Sequence, residues 1–291
     1  MLPARIAGAP ISWGVSEVPG WGHQLERDRV LTEMRGLGLT ATEFGPPGFL
    51  PSDPETMAKE LAGFGLTAVG GFLVVVLHDP HHDPLAEVDR FLDGCVAAGA
   101  GVAVLAGGTG VHGYDSRPEL DAASWKTLLH NLDRIDALAA RRGVVATIHP
   151  HVGTMVASAT DVQRVLTGSA IGLCVDTGHL LIGGTDPVAL TRDNVGRVAH
   201  VHLKDVDAGL AWQVLDGSMT FTAAVRAGMF RPLGQGDVDI ASMVATLDAY
   251  GYAGWYVLEQ DVALDGDPQG GGPAADVALS LDYLMRLAGR Q

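Results

Sequence analysis

Cysteine is nearly missing from this 291-residue chain: Cys95 and Cys174 are the only two, they form no CxxC pair, and both lie in apolar surroundings. A disulfide framework is thereby excluded, and a reducing compartment is expected. Charge is scarce as well, at 18%, and it is lopsided, with a formal net charge of −15. Without a stripe of Lys or Arg to track phosphates, nucleic acid and anionic membrane surfaces are poor partners. No run of 18 apolar residues occurs, and MLPARIAGAPISW lacks a basic segment leading into a long apolar one. The expectation is therefore a cytoplasmic protein with no membrane or nucleic-acid partner.

What is plentiful is apolar side chain, 47% of the residues, enough to bury a large interior. Short apolar runs recur at Ile6 to Trp13, Thr40 to Phe44, Ala68 to Leu77, Val102 to Ala106, Val144 to Ile148, Ile171 to Val175, Val198 to Leu203 and Gly254 to Leu258. Most are too continuously apolar to have a wet face, the mark of parallel strands covered by helices. Between them the helical period shows, for example at Trp125, Leu128, Leu132, Ile135 and Leu138. Eight such β-then-α units predict a single (β/α)₈ TIM barrel over residues 1–291. An open doubly wound sheet would need a GxGxxG fingerprint, and Gly107-Gly108-Thr109-Gly110 lacks the spacing. The connection after the sixth strand, Pro187 to Asn194, is short for a helix, and about 207–237 is too long for a simple one and predicts an elaborated loop.

A barrel of this kind builds its site at the C-terminal ends of its strands. Polar residues cluster there. His149 and His151 end the fifth strand, His179 follows the sixth in VDTGH, His200 and His202 lie in HVHLKD on the seventh, and Glu43 and Glu259 end the second and eighth. Asp176 could equally cap a helix, and His200 and His202 could be one core and one surface residue. A carboxylate in an apolar run such as Glu259 needs a partner, however, and a shared divalent cation would satisfy four successive strands at once. Imidazole and carboxylate without thiolate suit Mn²⁺, Co²⁺, Fe²⁺ or Zn²⁺. His78, His81 and His82 read as a solvated rim loop. Trp13 and Trp21, in the loop after the first strand, could wall a pocket against a ring-shaped ligand.

The order of these motifs, DTGH, HVHLKD, PLGQGDVD and a Glu ending the eighth strand, resembles the xylose-isomerase-like barrel superfamily of sugar isomerases, epimerases and dehydratases. The resemblance covers essentially the whole chain. More narrowly, APISWG, PGWGHQL, TATEFGPPGFLP, HPHVGT, AGMFRPLGQGDVD and LEQD resemble the inosose dehydratase family, which removes water from 2-keto-myo-inositol. HVHLKD and DTGH are shared widely and do not identify a substrate.

By position the resemblance implies a metal held by Asp176, His202 and Glu259. His149 stands where the epimerase relatives carry a Glu. That substitution keeps a ligand but removes one of two opposed carboxylate bases, which disfavours two-base epimerisation. The implied reaction on a small cyclic keto-polyol starts with loss of a proton beside the ketone, continues with departure of the β-hydroxyl and ends in a diketone. It also implies Mn²⁺ or Co²⁺ foremost as cofactor, with Zn²⁺ or Fe²⁺ compatible, and pairing into a homo-oligomer. Catalytic roles are expected of His151, His179, Lys204 and Glu259, and substrate binding of Trp13, Glu43, His151 and Lys204. His151 or His179 would serve as acid for the leaving hydroxyl, and Lys204 would fix a hydroxyl or the oxyanion. The rivals are an isomerase or epimerase on the same scaffold, a DNA-repair endonuclease that the acidic charge opposes, and a sugar-binding barrel without turnover.

Overall fold

Eight short parallel strands close on one another in the computed structural model, which describes residues 5–289. Ten strands are described, eight of them in the barrel: β1 (Ile6–Gly8), β2 (Ala41–Glu43), β3 (Thr67–Val75), β4 (Val102–Gly107), β5 (Val145–Ile148), β6 (Gly172–Asp176), β7 (Val198–Leu203), β8 (Asp205–Val206), β9 (Phe230–Arg231) and β10 (Tyr256–Leu258). The barrel runs β1-β10-β7-β6-β5-β4-β3-β2 and back to β1, while β8 and β9 form a separate antiparallel pair. This is the closed (β/α)₈ barrel that the alternation of strands and helices predicts.

Local chemistry explains the covering helices. Helix Ala122–Arg141 starts where the Asp121 carboxylate accepts from the Ser124 backbone N–H, and it buries Trp125, Leu128, Leu132, Ile135 and Ala139 on one stripe. Helix Ala159–Gly168 opens on a capping box between Ser158 and Asp161. Burial of each large apolar side chain on these faces contributes ~1.5–3 kcal/mol.

Inside the barrel the filling is small. Ala7, Ala9, Ala41, Val69 and Val257 form a core cluster of their own, apart from the large one between strands and helices. Side chains two residues apart on a strand share a face, so Glu43 follows Ala41 into the interior and Glu259 follows Val257. Small residues in this layer leave room for long polar ones above it.

Two sequence expectations change. Ile6 to Trp13 is not one strand: the ladder stops at Gly8, and Pro10–Trp13 is a 3-10 turn led by the proline, which has no N–H to donate. The connection after β6 is two helices, Thr177–Ile182 and Pro187–Asp193. The stretch 207–237 carries helices Ala208–Leu215 and Phe221–Arg226 and strand β9. Its anchor is Asp205, fully buried, whose carboxylate accepts backbone N–H bonds of 2.8–3.0 Å from Val206, Gly234, Gly236 and Val238. A side chain at Gly236 would meet that carboxylate at 2.4 Å. The end of HVHLKD and the glycines of PLGQGDVD are thus one structural clamp.

Candidate active site

β5 ends at Ile148, and its direction carries His149 and His151 to the barrel mouth on one face. His149 is held by its backbone N–H on the Leu105 carbonyl at 2.7 Å, His151 by its own on Val156 at 2.9 Å. The chain then turns sharply at Gly153, which has a φ of 78°. Only glycine fits there on a second count: an added Cβ would lie 2.2 Å from the Tyr114 carbonyl oxygen. The Tyr114 ring in turn packs on His151, with centroids 4.3 Å apart, and its hydroxyl donates to Glu17.

The β6–β7 register skips one residue, pairing Cys174 with His200 and Asp176 with His202. That shift keeps Asp176, His200 and His202 on the interior face. Ligand atoms of His149, Asp176, His202 and Glu259 all lie within 4.8 Å of one another. His149 Nε2 is 3.4 Å from Asp176 Oδ2, and His202 Nδ1 is 3.1 Å from Glu259 Oε2 and 3.7 Å from Asp176 Oδ2.

Asp176 caps a helix and also has an oxygen facing the cluster. Its Oδ1 caps helix Thr177–Ile182 by accepting from the His179 N–H at 2.8 Å, while its buried Oδ2 has no hydrogen-bond partner. His202 Nδ1 is orphaned in the same way. Two carboxylates and two imidazoles converging in a buried space, with Asp176 Oδ2 and His202 Nδ1 lacking a hydrogen bond, fit a divalent cation.

Beside this cluster is a cationic and imidazole group. Lys204 is buried, with Nζ 3.2 Å from Asp176, 3.1 Å from Glu259, 2.8 Å from Asp261 and 3.1 Å from His179 Nε2. His151 and His179 stack at a centroid separation of 3.7 Å. Burial, reinforced by His149 and Lys204 for His151 and by His151 and Lys204 for His179, holds both imidazoles well below their usual range, hence neutral. For Lys204 burial works against the charge, but Asp176, Asp261 and Glu259 outweigh it and keep the ammonium. Burial likewise opposes ionisation of Glu259, yet His202 and Lys204 bring it down to about 2. Asp261 is pushed up to about 6 by burial, with Lys204 pulling the other way.

A cavity of about 170 Å³ opens onto these groups. Glu43, His149, His151, Lys204, Glu259 and Asp261 line its polar side, and Trp21, Phe72, Tyr114 and Pro46 are among the residues on its apolar side. Trp13 is not at the cavity: it is fully buried, with its indole N–H on Glu33 at 2.8 Å. Trp21 supplies the wall expected of it, fixed by its indole N–H on the Val262 carbonyl at 2.8 Å. Glu43 reaches the cavity, but its Oε1 already accepts from His200 at 2.8 Å and His202 at 3.0 Å. Both of these histidines are buried, so neither is a surface residue. His81 and His82 are exposed on a separate groove, His82 against Glu87 at 2.9 Å. Asp261, Tyr114 and Glu17 escape the sequence reading. Asp261 alone had a signal, standing two residues beyond Glu259 on the same face.

A barrel with this mouth defines a class, and residues 31–286 match the family described as xylose isomerase-like TIM barrel. The chain belongs to that family. Inosose dehydratase from Geobacillus kaustophilus is 30% identical over 98% of this chain and 95% of its own length. The rhizopine catabolism protein MocC of Rhizobium meliloti is 31% identical over 99% of this chain and 90% of its own. The crystal structure of the IolI protein with a zinc atom superposes with a TM-score of 0.70 at 13% identity, covering 98% of both chains. The chain is thus an enzyme of the hydro-lyase type, similar to the inosose dehydratases. Among the described residues no helix is long and apolar enough to cross a membrane.

Proposed function

We propose that the chain dehydrates 2-keto-myo-inositol, or a close cyclic keto-polyol, to a diketone in inositol catabolism with the help of one divalent ion. The observation that carries this reading is the juxtaposition of the four-residue ligand cluster with neutral imidazoles and a buried ammonium in one small cavity. His149, Asp176, His202 and Glu259 would hold the ion. Mn²⁺ or Co²⁺ is the foremost candidate and Zn²⁺ or Fe²⁺ also suit the donor set. When bound, it supplies Lewis-acid stabilisation for charge on the ketone oxygen.

The chain's own residues account for the proton steps. His151 Nδ1 lies 2.7 Å from the Val152 carbonyl and so must carry the proton there, which leaves Nε2 a free acceptor on a cavity-lining ring. That nitrogen takes the proton from the carbon beside the ketone. The electron pair moves to the carbonyl oxygen, where the Lys204 ammonium donates to the developing charge. The β-hydroxyl leaves as water after protonation from the stacked His151–His179 pair, and the enol tautomerises to the second ketone. The apolar wall of Trp21, Phe72 and Tyr114 packs the ring's C–H faces and keeps out bulk water.

A second carboxylate base opposite Glu259 would favour epimerisation, and His149 occupies that place. Cytoplasmic operation and a homo-oligomer remain part of the proposal on the sequence grounds given above. The test is reconstitution: protein stripped by chelator and reloaded singly with Mn²⁺, Co²⁺, Zn²⁺ or Fe²⁺ regains turnover of 2-keto-myo-inositol with at least one ion. Full turnover in the stripped state would refute metal dependence.

A further inference from the structure

Glu43 and His200 lie beside the ligand cluster, and their geometry assigns them to His202. His200 precedes His202 by two residues on β7, so both rings enter the interior. β2 is separated from β7 by β1 and β10 in the barrel order, so Glu43 meets these rings across the interior rather than along a shared ladder. The β2–β3 register slips between Thr42, paired with Ala68, and Glu43, paired with Gly70. The extra residue, Val69, lies on β3, so β2 keeps its alternation and Glu43 stays on the interior face with Ala41. Here the small layer of Ala7, Ala41 and Val257 leaves Glu43 the room to reach.

Its Oε1 receives His200 Nε2 at 2.8 Å and His202 Nε2 at 3.0 Å. Glu43 is only 2% exposed, so water is a poor substitute for either bond. Two ring nitrogens converge on this one carboxylate oxygen, which serves as the shared acceptor, so both imidazoles carry hydrogen on Nε2. A His202 that ligates an ion then has only Nδ1 to offer, and Nδ1 is the atom that faces Asp176 and Glu259.

We propose that Glu43 is a positioning residue that holds His202 in the Nε2–H tautomer with Nδ1 presented to the divalent ion, and that His200 anchors the same Glu43 oxygen. The inference rests on the four-residue cluster being the metal site but not on the identity of the substrate. Outer carboxylates of this kind fix the orientation and basicity of a ligating imidazole, and their loss costs ~10–100-fold in metal affinity. It also revises the expectation that Glu43 holds a substrate hydroxyl: the oxygen that does the orienting is already committed.

The experiment uses the full-length chain in three forms: wild type, Glu43→Ala and Glu43→Gln, with His202→Ala as reference. Zn²⁺ affinity is read by competition with a chelator, Co²⁺ coordination by visible absorption, and the tautomer by two-bond ¹H–¹⁵N correlation of ¹⁵N-histidine-labelled, Zn²⁺-loaded protein. We expect the wild-type His202 signal to be that of an Nε2–H imidazole. Zn²⁺ should bind ~10–100-fold more weakly in Glu43→Ala, less so in Glu43→Gln, which keeps an acceptor oxygen, and the Co²⁺ spectrum should change. A wild-type His202 with its proton on Nδ1 overturns the proposal without any variant needing to fold. So does unchanged Zn²⁺ affinity and an unchanged Co²⁺ spectrum in Glu43→Ala. A stoichiometry of two ions per wild-type chain, falling to one in Glu43→Ala, would overturn it too, because Glu43 would then be a ligand. If His202→Ala binds Zn²⁺ as tightly as wild type, the metal site itself is misassigned, an outcome distinct from failure of the Glu43 role alone.

Discussion

Lys204 Nζ donates to Asp261 Oδ1 across 2.8 Å with both groups buried, and the same ammonium is within 3.2 Å of Asp176 and Glu259. One cation thus balances three carboxylates. Lys204→Met should lower turnover by about 100- to 1000-fold, the scale of losing one donor to a developing oxyanion. It should also destabilise the chelator-treated protein by about 3–5 kcal/mol, since a buried charge partner is removed. Steady-state kinetics and denaturant titration with and without ion check both. Turnover within a factor of a few of wild type would remove Lys204 from the reaction.

His149→Ala and Glu259→Gln each delete or neutralise a group converging on the orphaned Asp176 Oδ2 and His202 Nδ1. Bound metal and dehydratase activity should fall together. His149→Ala should weaken metal by more than the ~10–100-fold that an outer partner costs. A variant that retains full metal and full turnover would show that its residue is no ligand.

Gly153 has a φ of 78°, and a Cβ there would meet the Tyr114 backbone at 2.2 Å. Gly153→Ala should destabilise the protein by about 1–3 kcal/mol from backbone strain. It should also lower kcat/KM, because the displaced Tyr114 packs on His151. Thermal unfolding and kinetics of the variant decide this. A wild-type Tm would mean that the loop relaxes freely.

Stability toward acid has an identifiable contributor in Asp161. Burial opposes its ionisation, but the Ser158 backbone and hydroxyl and Arg117 outweigh it, with Arg117 at 2.6 Å, so the folded-state pKa is lowered from its usual 3.8. A depressed carboxylate contributes stability above its unfolded-state pKa and loses that contribution as pH falls through the folded value. Asp161→Asn should therefore cost about 1–3 kcal/mol at pH 7. The gap from wild type should narrow as pH drops below the usual aspartate range. Urea unfolding at a series of pH values checks the sign: a gap that widens on acidification would contradict it.

Much of this was legible in the residues because strand ends and ligand identities are local. IHPHVG, VDTGH and HVHLKD each place polar groups where an apolar run stops. Depth and direction were not. Trp13 and Trp21 look alike in sequence, but the turn at Pro10 seats Trp13 in the core on Glu33, and Val262 holds Trp21 at the cavity. Glu43 read as a substrate-binding residue because its contact with His200 and His202 crosses the interior between strands far apart in sequence. The ordered segment over 207–237 hid because its helices are short and their anchor, Asp205, acts through backbone N–H groups of distant glycines.

The most direct test of the account is the product formed from 2-keto-myo-inositol by the metal-loaded protein. Elimination predicts a diketone lighter than the substrate by one water, with a new ultraviolet absorption. A product of unchanged mass would contradict it and make the chain an isomerase or epimerase on this barrel.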